Sequence, residues 1–228
     1  MTNRLSIIVP VLDEASGIAA SLAALLPLRA RGHEVIVVDG GSGDDTVALC
    51  MGRADAVIEA RRGRARQMNA GAAQARGDVL LFLHADTTLP EQADACIARA
   101  LKAGAQWGRF DVKIEGASAM FPLIAATMNL RSRRTGIATG DQAMFVRREL
   151  FQRVGGFPDQ PLMEDVELSR RLRRAAKPSC LRERVLTSSR RWERGGVWHT
   201  IVLMWQLRLR YWLGVSPEVL ARAYRWTR

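Results

Sequence analysis

Four short apolar runs in the first half of the chain alternate with segments of helical pattern. The apolar runs are residues 5–10, 34–39, 56–59 and 79–83. The helical segments are residues 17–31, 44–51, 65–75 and 91–102. Continuous apolar strands separated by helices are typical of parallel sheets that are covered on both faces. The pattern therefore predicts an α/β fold with a mostly parallel central sheet and helices on both faces.

The pattern becomes less regular after residue 107. Further strands are predicted at 107–115 and 143–147, and further helices at 120–134, 149–154 and 164–175. A helix at 197–213 and a short last helix complete the chain, the latter starting at Ser216 and Pro217. No linker or internal repeat interrupts this order. We therefore expect one main domain with a helical C-terminal extension.

The charge of the chain is concentrated at its C-terminal end. Between Arg147 and Arg228 there are 18 basic and 8 acidic residues, which supply ten of the eleven net positive charges. Genomic codon bias is one interpretation, because lysine occurs only three times. The other is a surface that faces anionic lipid or an anionic substrate. No DNA- or RNA-binding motif accompanies the charge, so nucleic acid is disfavoured.

The cysteines and the N-terminus indicate where the protein is located. Cys50, Cys96 and Cys180 form no C-x-x-C pair, which disfavours a disulfide framework or a zinc site. The first apolar run ends at Pro10 and acidic residues follow at once, unlike a signal peptide. We expect a cytoplasmic protein.

Two of the apolar runs end near an aspartate and open into a turn. These aspartates are Asp39 and Asp86. In open α/β sheets, ligands bind beyond the carboxyl ends of the strands. Asp39 suits hydrogen bonds from a ribose or a base, and Asp86 suits Mg²⁺ or Mn²⁺ that bridges diphosphate oxygens. The pair predicts a site for a nucleotide and a divalent metal, with a simple turn aspartate as the alternative for Asp39.

An arginine cluster at 61–66 lies just before and within a predicted helix. Arginine pairs well with phosphate oxygens, and Arg64 is the candidate for the diphosphate. The alternative is a solvated basic loop. His84, two residues before Asp86, is either a ribose contact or a structural histidine.

Glu164 and Asp165 stand at the start of a predicted helix with a clear apolar stripe. Acidic residues at this place complement the helix dipole. One of them is alternatively the general base that accepts a proton from an attacking hydroxyl. The surrounding candidates favour the second interpretation.

Taken together, these segments resemble the family-2 glycosyltransferases, which use nucleotide sugars and have the GT-A fold. The matching segments, in family order, are 7–14, 37–42, 64–71, 84–86, 140, 145–148, 155–157 and 164–165. Residues 83–87 and 189–193 look more narrowly like a bacterial subgroup often named selenodomain-associated or arsenosugar-biosynthesis transferases.

The resemblance implies a metal-dependent, inverting transfer of a sugar, of the hexosyltransferase type, to an acceptor hydroxyl. Asp165 would be the catalytic base beside Glu164, and Asp86 would bind Mg²⁺ or Mn²⁺. Asp39 would contact the base of the nucleoside-diphosphate sugar. The substrate-binding residues that the resemblance implies are Pro10, Glu14, Asp39, Gly41, Ser42, Arg64, Asn69, His84, Gly140, Asp141, Arg191 and Trp192.

Two positions depart from the family pattern. His84 replaces the first aspartate of the D-x-D motif, which affects the usual ribose contact and retains the metal ligand. Processive relatives carry Q-x-x-R-W, whereas Ser188 stands in the place of the glutamine here. Arg191 and Trp192 remain to meet the diphosphate and the acceptor. Non-processive transfer of a single sugar is therefore expected.

The resemblance also suggests a domain organisation. We expect a catalytic domain at 1–187, with a nucleotide-binding half (1–105) and an acceptor half (106–187), and an extension at 188–228. One alternative function is nucleotidyl transfer, although residues 10–16 lack the glycine-rich phosphate loop that it needs. Another is a non-catalytic nucleotide-sugar-binding protein that docks on membranes.

The predicted helix at 197–213 is apolar almost all round but carries Arg208 and Arg210. Its 17 residues fall short of the ~20 that a membrane span needs. Three interpretations remain. The helix packs on the catalytic domain and shapes the acceptor site, lies in a membrane interface on the inner face of the plasma membrane, or forms a homodimer contact.

Overall fold

Eight strands form one sheet at the centre of the computed structural model, which describes residues 4–225 apart from the side chains of Arg191, Arg194 and Arg225. The strands are β1 (Leu5–Val11), β2 (Glu34–Asp39), β3 (Ala56–Glu59), β4 (Val79–Phe82), β5 (Thr87–Thr88), β6 (Trp107–Ile114), β7 (Met144–Arg147) and β8 (Ser179–Thr187). The helices of the first half are α1 (Ile18–Ala23), α2 (Leu26–Ala30), α3 (Thr46–Cys50), α4 (Arg64–Gln74) and α5 (Ala93–Lys102). The later helices are α6 (Met120–Thr135), α7 (Arg148–Arg153), α8 (Glu164–Ala175), α9 (Arg190–Gly195), α10 (Val197–Trp212) and α11 (Pro217–Arg225), with a 3₁₀ turn at Gly140–Gln142.

The first four strands form a parallel half-sheet with a change of direction in the strand order. The full order is β3-β2-β1-β4-β7-β6-β8-β5. β1 pairs in parallel with both β2 and β4. The strands β2 and β3 therefore lie on one side of β1, and β4 lies on the other side. Such a switch point opens a crevice at the carboxyl ends of the two central strands. The predicted α/β fold is confirmed.

The second half of the sheet is mixed. β7 runs antiparallel to both β4 and β6, and β8 runs parallel to β6. The two-residue strand β5 pairs antiparallel with the end of β8. The sequence pattern did not predict β5 or β8. β8 has one side largely exposed, so its apolar residues do not form a continuous run.

Two hydrophobic cores lie on opposite faces of the sheet. Ile7 and Val9 of β1 pack into the core that includes α1 and α5, whereas Ile8 packs into the core under α4. Successive residues of a strand point to opposite faces, so one strand serves both cores. Gly71 of α4 allows close packing here, because a Cβ at this position would lie 2.5 Å from Cγ2 of Ile8.

The predicted helix at 17–31 is two shorter helices. α1 ends at Ala23, and α2 begins at Leu26 with Pro27 in its first turn. Proline has no N–H to donate and is favoured at the start of a helix. The apolar spacing continues across this interruption, which is why the pattern alone suggested one helix.

One face of α10 packs on the rest of the chain and another is exposed. Leu207 is buried with Met163 and with Leu220 of α11 in a third, small apolar cluster. Trp205 and Trp212 of α10 are 73% and 72% exposed. Within residues 4–225, no helix has both the length and the hydropathy needed to cross a membrane.

Candidate active site

A cavity of about 1110 Å³ lies at the carboxyl ends of β1 and β4. Because these strands are adjacent and parallel, the loops that follow them emerge side by side. The loop after β1 supplies Pro10 and Glu14, and the loop after β4 supplies His84 and Asp86. The switch point of the sheet thus brings together residues that lie some seventy positions apart in the chain.

The loops after β1 and β2 are joined by hydrogen bonds. Gly43 N donates to Asp13 Oδ1 at 2.8 Å, and Asp13 N donates to Ser42 Oγ at 3.0 Å. Glu14 N donates to Thr46 Oγ1 at 2.8 Å. These bonds fix the backbone of Glu14, whose side chain lines the cavity.

Asp39 accepts three hydrogen bonds from its own loop. Gly41 N and Ser42 N donate to its Oδ2 at 2.8 and 3.0 Å, and Ser42 Oγ donates to Oδ1 at 2.5 Å. Asp39 is 5% exposed and lies outside the lining of the cavity. This carboxylate shapes the loop beside the crevice, and its contact with a base stays a prediction.

Arg190 joins the two loops of the crevice. Its Nη2 lies 3.0 Å from Glu14 Oε2 and 3.8 Å from Asp86 Oδ2. The pairing of β5 with β8 brings Arg190 to this place, because Ser188 N then donates to Asp86 O at 3.1 Å. The family resemblance implied the neighbouring Arg191 and assigned no role to Arg190. Its partners Glu14 and Asp86 are more than a hundred positions away in the chain. The local sequence around Arg190 therefore could not predict these contacts.

His84 and Gly140 connect Asp86 with the start of α8. His84 Nδ1 lies 3.3 Å from Asp141 Oδ1, and Gly140 N donates to Asp165 Oδ2 at 2.9 Å. His84 Nε2 is buried and has no hydrogen-bond partner within residues 4–225. The predicted base therefore lies against the same short turn as the predicted D-x-D position.

Replacing Gly140 by alanine is expected to disturb this arrangement. A Cβ at this position would lie 2.2 Å from Nε2 of His84, so the imidazole or the turn must move. Overpacking of this kind typically costs about 1–3 kcal/mol. We expect a lower melting temperature and reduced sugar transfer. Gly17→Ala is the control, since its Cβ would meet nothing within 4 Å; equal behaviour of both variants would contradict the assignment.

Glu164 and Asp165 differ in their environment. Glu164 is 5% exposed, and burial together with the nearby charge of Asp165 raises its pKa, although Arg64 opposes this. Asp165 is held by two backbone donors, Gly140 N and Val166 N at 2.7 Å. These two hydrogen bonds fix the orientation of the Asp165 side chain. The pair thus places a buried glutamate beside an oriented aspartate.

Arg64 faces this acidic pair from α4. Its Nη1 lies 3.8 Å from Glu164 Oε1, and its side chain is 42% exposed at the cavity wall. Burial lowers the pKa of Arg64, but the carboxylates of Glu164, Asp141 and Asp165 raise it above its ordinary value. Arg64 therefore stays a guanidinium cation that anionic oxygens can bind.

Three non-glycine residues with positive φ flank the site. Asp13 (φ 54°) precedes Glu14, Ala143 (φ 43°) follows the turn that holds Asp141, and Met163 (φ 65°) precedes Glu164. Left-handed backbone is unfavourable for such residues and concentrates at functional sites. Its position beside three candidate residues supports the location of the site.

Two arginines in the same cavity were not predicted as site residues. Arg131 comes from α6 and Arg208 from α10. Burial, together with the neighbouring positive charge of Arg208, lowers the pKa of Arg131 to about 10. Burial also lowers the pKa of Arg208, although Asp165 and Asp141 oppose the shift. The position of Arg208 in a largely apolar helix could have indicated a functional role for it.

The predicted site residues fall into three groups. Those that line the large cavity are Pro10, Glu14, Arg64, His84, Asp86, Asp141 and Trp192. Those that line a small pocket beside Arg64 and His84 are Gly140, Glu164 and Asp165. Those outside both are Asp39, Gly41, Ser42 and Asn69. The side chain of Arg191 is outside the described part of the chain.

The side chain of Asn69 has a structural role. Its Nδ2 donates to Phe157 O at 2.8 Å, and Phe157 N donates to its Oδ1 at 3.0 Å. Both ends of the amide therefore hold the loop before α8 against α4. A role of Asn69 in substrate binding stays a prediction.

The described residues offer a divalent metal one carboxylate ligand, that of Asp86, rather than a complete set of protein ligands. No group of three or more His, Cys, Asp or Glu suited to a metal occurs within residues 4–225. Mg²⁺ sites that serve nucleotides commonly use one or two carboxylates, with phosphate oxygens and water completing the shell. Asp86, one-third exposed at the cavity wall, fits that role.

Comparison with solved structures defines the class of fold as GT-A. S. aureus TarS 1-349 superposes with a TM-score of 0.65 at 19% identity, covering 82% of this chain and 60% of that one. Glucosyl-3-phosphoglycerate synthase from Mycobacterium tuberculosis, solved with Mn²⁺, UDP and glucosyl-3-phosphoglycerate, gives 0.61 at 20% identity, covering 80% and 70%. A mannosyltransferase from Pyrobaculum calidifontis, PcManGT, solved with GDP-Man and Mn²⁺, gives 0.61 at 22% identity, covering 82% and 57%.

Residues 6–155, well over half of the chain, match the family model described as glycosyl transferase family 2. The chain therefore belongs to glycosyltransferase family 2. The Mycobacterium tuberculosis protein "Uncharacterized glycosyltransferase Rv1514c" is 39% identical over 84 residues, which are 35% of this chain and 32% of that relative. The predicted family is confirmed, and the narrower subgroup stays a prediction.

Proposed function

We propose that this chain transfers a sugar from a nucleoside-diphosphate sugar to an acceptor hydroxyl with inversion at the anomeric carbon. The observation that carries the proposal is the shared cavity at the switch point. Asp86 and Arg190 line it on the strand-end side, and Asp165 lies in the adjoining pocket. Family membership supports the same reaction.

The reaction is a single displacement. The acceptor hydroxyl oxygen forms a bond to the anomeric carbon, and the bond from that carbon to the diphosphate breaks with its electron pair leaving on the diphosphate. Asp165 accepts the hydroxyl proton on a carboxylate oxygen. Its two backbone hydrogen bonds fix the direction from which it meets the hydroxyl. Attack opposite to the leaving group inverts the configuration.

The leaving diphosphate requires positive charge. Arg64 and Arg190, which both line the cavity, would bind its oxygens. Asp86 would hold Mg²⁺ or Mn²⁺, which when bound neutralises charge that develops on the departing oxygens. The presence of Mn²⁺ in the structures of PcManGT and the mycobacterial synthase supports this choice of cofactor.

Single-sugar transfer is part of the proposal. Ser188, where processive relatives carry glutamine, donates its backbone N–H to Asp86 O. Trp192 lines the cavity at the side of α6 and α10, where an acceptor would enter. Membrane contact through the exposed tryptophans of α10, or a homodimer at the same face, also stays a prediction, which flotation with anionic vesicles and sedimentation can test.

Nucleotide binding tests the proposed function directly. We expect UDP or GDP to raise the melting temperature by roughly 5 °C or more at a hundredfold excess over Kd, and more with Mn²⁺ than without metal. Matching nucleotide sugars should then release the diphosphate in the presence of acceptor. No shift with any nucleoside diphosphate, with or without metal, would exclude the site. Release of pyrophosphate from a nucleoside triphosphate would instead favour nucleotidyl transfer.

A further inference from the structure

The large cavity extends well beyond the strand ends, into a groove between α6 and α10. The α6 residues that face it are spaced three and four apart, as expected for one face of a helix. They are Met120, Leu123, Ile124, Thr127, Met128 and Arg131. Over three turns this face is apolar apart from Thr127, and it ends in an arginine.

The facing wall of the groove comes from α10. Ile201 and Met204 line it and are half-buried, and Arg208 lines it one turn further along the helix. Trp198 and Trp205 also line the cavity but are 68% and 73% exposed. The groove therefore opens to the surface at these tryptophans and has a guanidinium group on each helix beyond its apolar walls.

Arg131 carries hydrogen-bonding capacity that the described protein leaves unused. Its Nε and Nη2 are buried and have no hydrogen-bond partner within residues 4–225. Buried guanidinium nitrogens without partners are costly, because their lost hydration is not replaced. The neighbouring positive charge of Arg208 contributes, after burial, to the lowered pKa of Arg131.

A second arginine, which contacts the same helix α6, shows that the fold can provide partners for a buried guanidinium group. Arg109 of β6 is fully buried and donates to Ser132 Oγ at 2.9 Å and to Asn129 O at 3.2 Å. It also forms an ion pair with Asp111. Arg131 is adjacent to this network but lacks such partners for two of its nitrogens. We attribute the difference to a ligand.

We propose that the groove between α6 and α10 is the acceptor subsite and takes an amphipathic molecule whose anionic group binds Arg131 and Arg208. The anionic group is a phosphate or a carboxylate, and the apolar part lies along the groove toward Trp198 and Trp205. This assignment rests on the proposed glycosyltransferase function. Arg131 and Arg208 line the same cavity as Arg64 and His84. Arg64 and His84 also line the small pocket of the proposed base, Asp165, so the acceptor hydroxyl would lie between that pocket and the anionic group.

The donor diphosphate is a less suitable partner for these two arginines. The strand-end side of the cavity already offers it Arg64, Arg190 and Asp86. Arg131 and Arg208 come from the two helices whose apolar faces form the groove. A ligand bound there would therefore contact apolar side chains and the two guanidinium groups at the same time. A nucleotide has no apolar part that would fill the groove.

Short-chain probes test the subsite without nucleotide or metal. Octyl phosphate, octanoate, 1-octanol and inorganic phosphate are titrated while tryptophan fluorescence is recorded, since Trp192, Trp198 and Trp205 line the cavity. We expect octyl phosphate or octanoate to bind at least about tenfold more tightly than 1-octanol or inorganic phosphate. The stronger of the two anionic probes distinguishes phosphate from carboxylate. Equal binding of 1-octanol would overturn the proposal.

Paired variants separate the two arginines from general charge effects. Arg131→Gln and Arg208→Gln are each expected to weaken binding of the preferred anionic probe about tenfold and to leave 1-octanol binding unchanged. Arg134→Gln on α6 and Arg210→Gln on α10 are exposed controls that should bind like the wild type. Unchanged binding of the anionic probe by both cavity variants would contradict the assignment.

Stability and donor binding provide the remaining readouts. Because Nε and Nη2 of Arg131 are buried without partners, Arg131→Gln should melt no lower than the wild type, and a clearly lower melting temperature would indicate a structural role instead. UDP or GDP binding with Mn²⁺ should be retained in both variants. Loss of nucleotide binding with intact probe binding would assign the arginines to the donor and overturn the proposal. Failure of the proposed function itself would appear separately, as absent nucleotide binding in the wild type.

Discussion

Asp165→Asn is expected to reduce kcat for sugar transfer by about 10²–10⁴-fold, the usual contribution of a general base. Asparagine has nearly the same shape but only one acceptor oxygen, so it can keep one of the two hydrogen bonds that Gly140 N and Val166 N donate to different oxygens of Asp165. It cannot accept the proton of the acceptor hydroxyl. The measurement is steady-state transfer with the preferred donor and acceptor, together with nucleotide affinity.

The control for this prediction lies on the same helix. Glu167 of α8 pairs with Arg170 and Arg171 and lies outside both pockets. Glu167→Gln should therefore keep near-wild-type transfer. Nucleotide affinity should be similar in both variants, since the proposed base acts on the acceptor. If Asp165→Asn retained full transfer, the base would have to be another residue.

Asp86→Asn is expected to remove most of the metal dependence. A bound divalent ion contributes several kcal/mol of charge stabilisation, which corresponds to a loss of at least about a hundredfold in transfer rate. The amide is a poorer ligand for a hard cation than a carboxylate. Nucleotide binding should become weaker and nearly indifferent to Mn²⁺. The measurement is nucleotide affinity and transfer rate over a Mn²⁺ titration.

Asp159→Asn provides the comparison for Asp86. Asp159 is 65% exposed, pairs with Arg66 and lies outside the cavity, so its loss removes the same formal charge without touching the site. It should leave the Mn²⁺ response unchanged. A wild-type Mn²⁺ response in Asp86→Asn would show that the metal, if required, is held elsewhere.

The parallel half of the fold was predictable because its signals are local. The runs that became β1, β2 and β4 are apolar along most of their length, since strands covered on both faces need no polar side. β8 escaped prediction because its exposed side breaks the apolar pattern. The helix at 17–31 was predicted as one because apolar spacing continues across the start of α2 at Leu26. The pattern correctly predicted parallel pairing among β1, β2, β3 and β4, but it did not predict that β7 runs antiparallel to both of its neighbours.

The sequence predicted the residues of the candidate site best where an acidic residue directly follows a strand. Asp86 and Glu14 follow strands that meet at the switch point, and both line the cavity. Asp39 follows β2, one strand further out, and its carboxylate is engaged by its own loop. The sequence therefore identified the correct edge of the sheet, but it could not distinguish a cavity residue from its structural neighbour.

By itself, the sequence determined the α/β class, the edge of the sheet at which the acidic residues gather, and the family whose motifs appear in order. Those properties follow from contiguous segments, because a few neighbouring residues are enough to indicate a buried strand or a turn. Only the tertiary structure brought Arg190 to Asp86 through the pairing of β5 with β8, and placed Arg131 and Arg208 on facing helices. These contacts join residues far apart in the chain, and their partners are chosen by packing of whole elements, which no local pattern encodes.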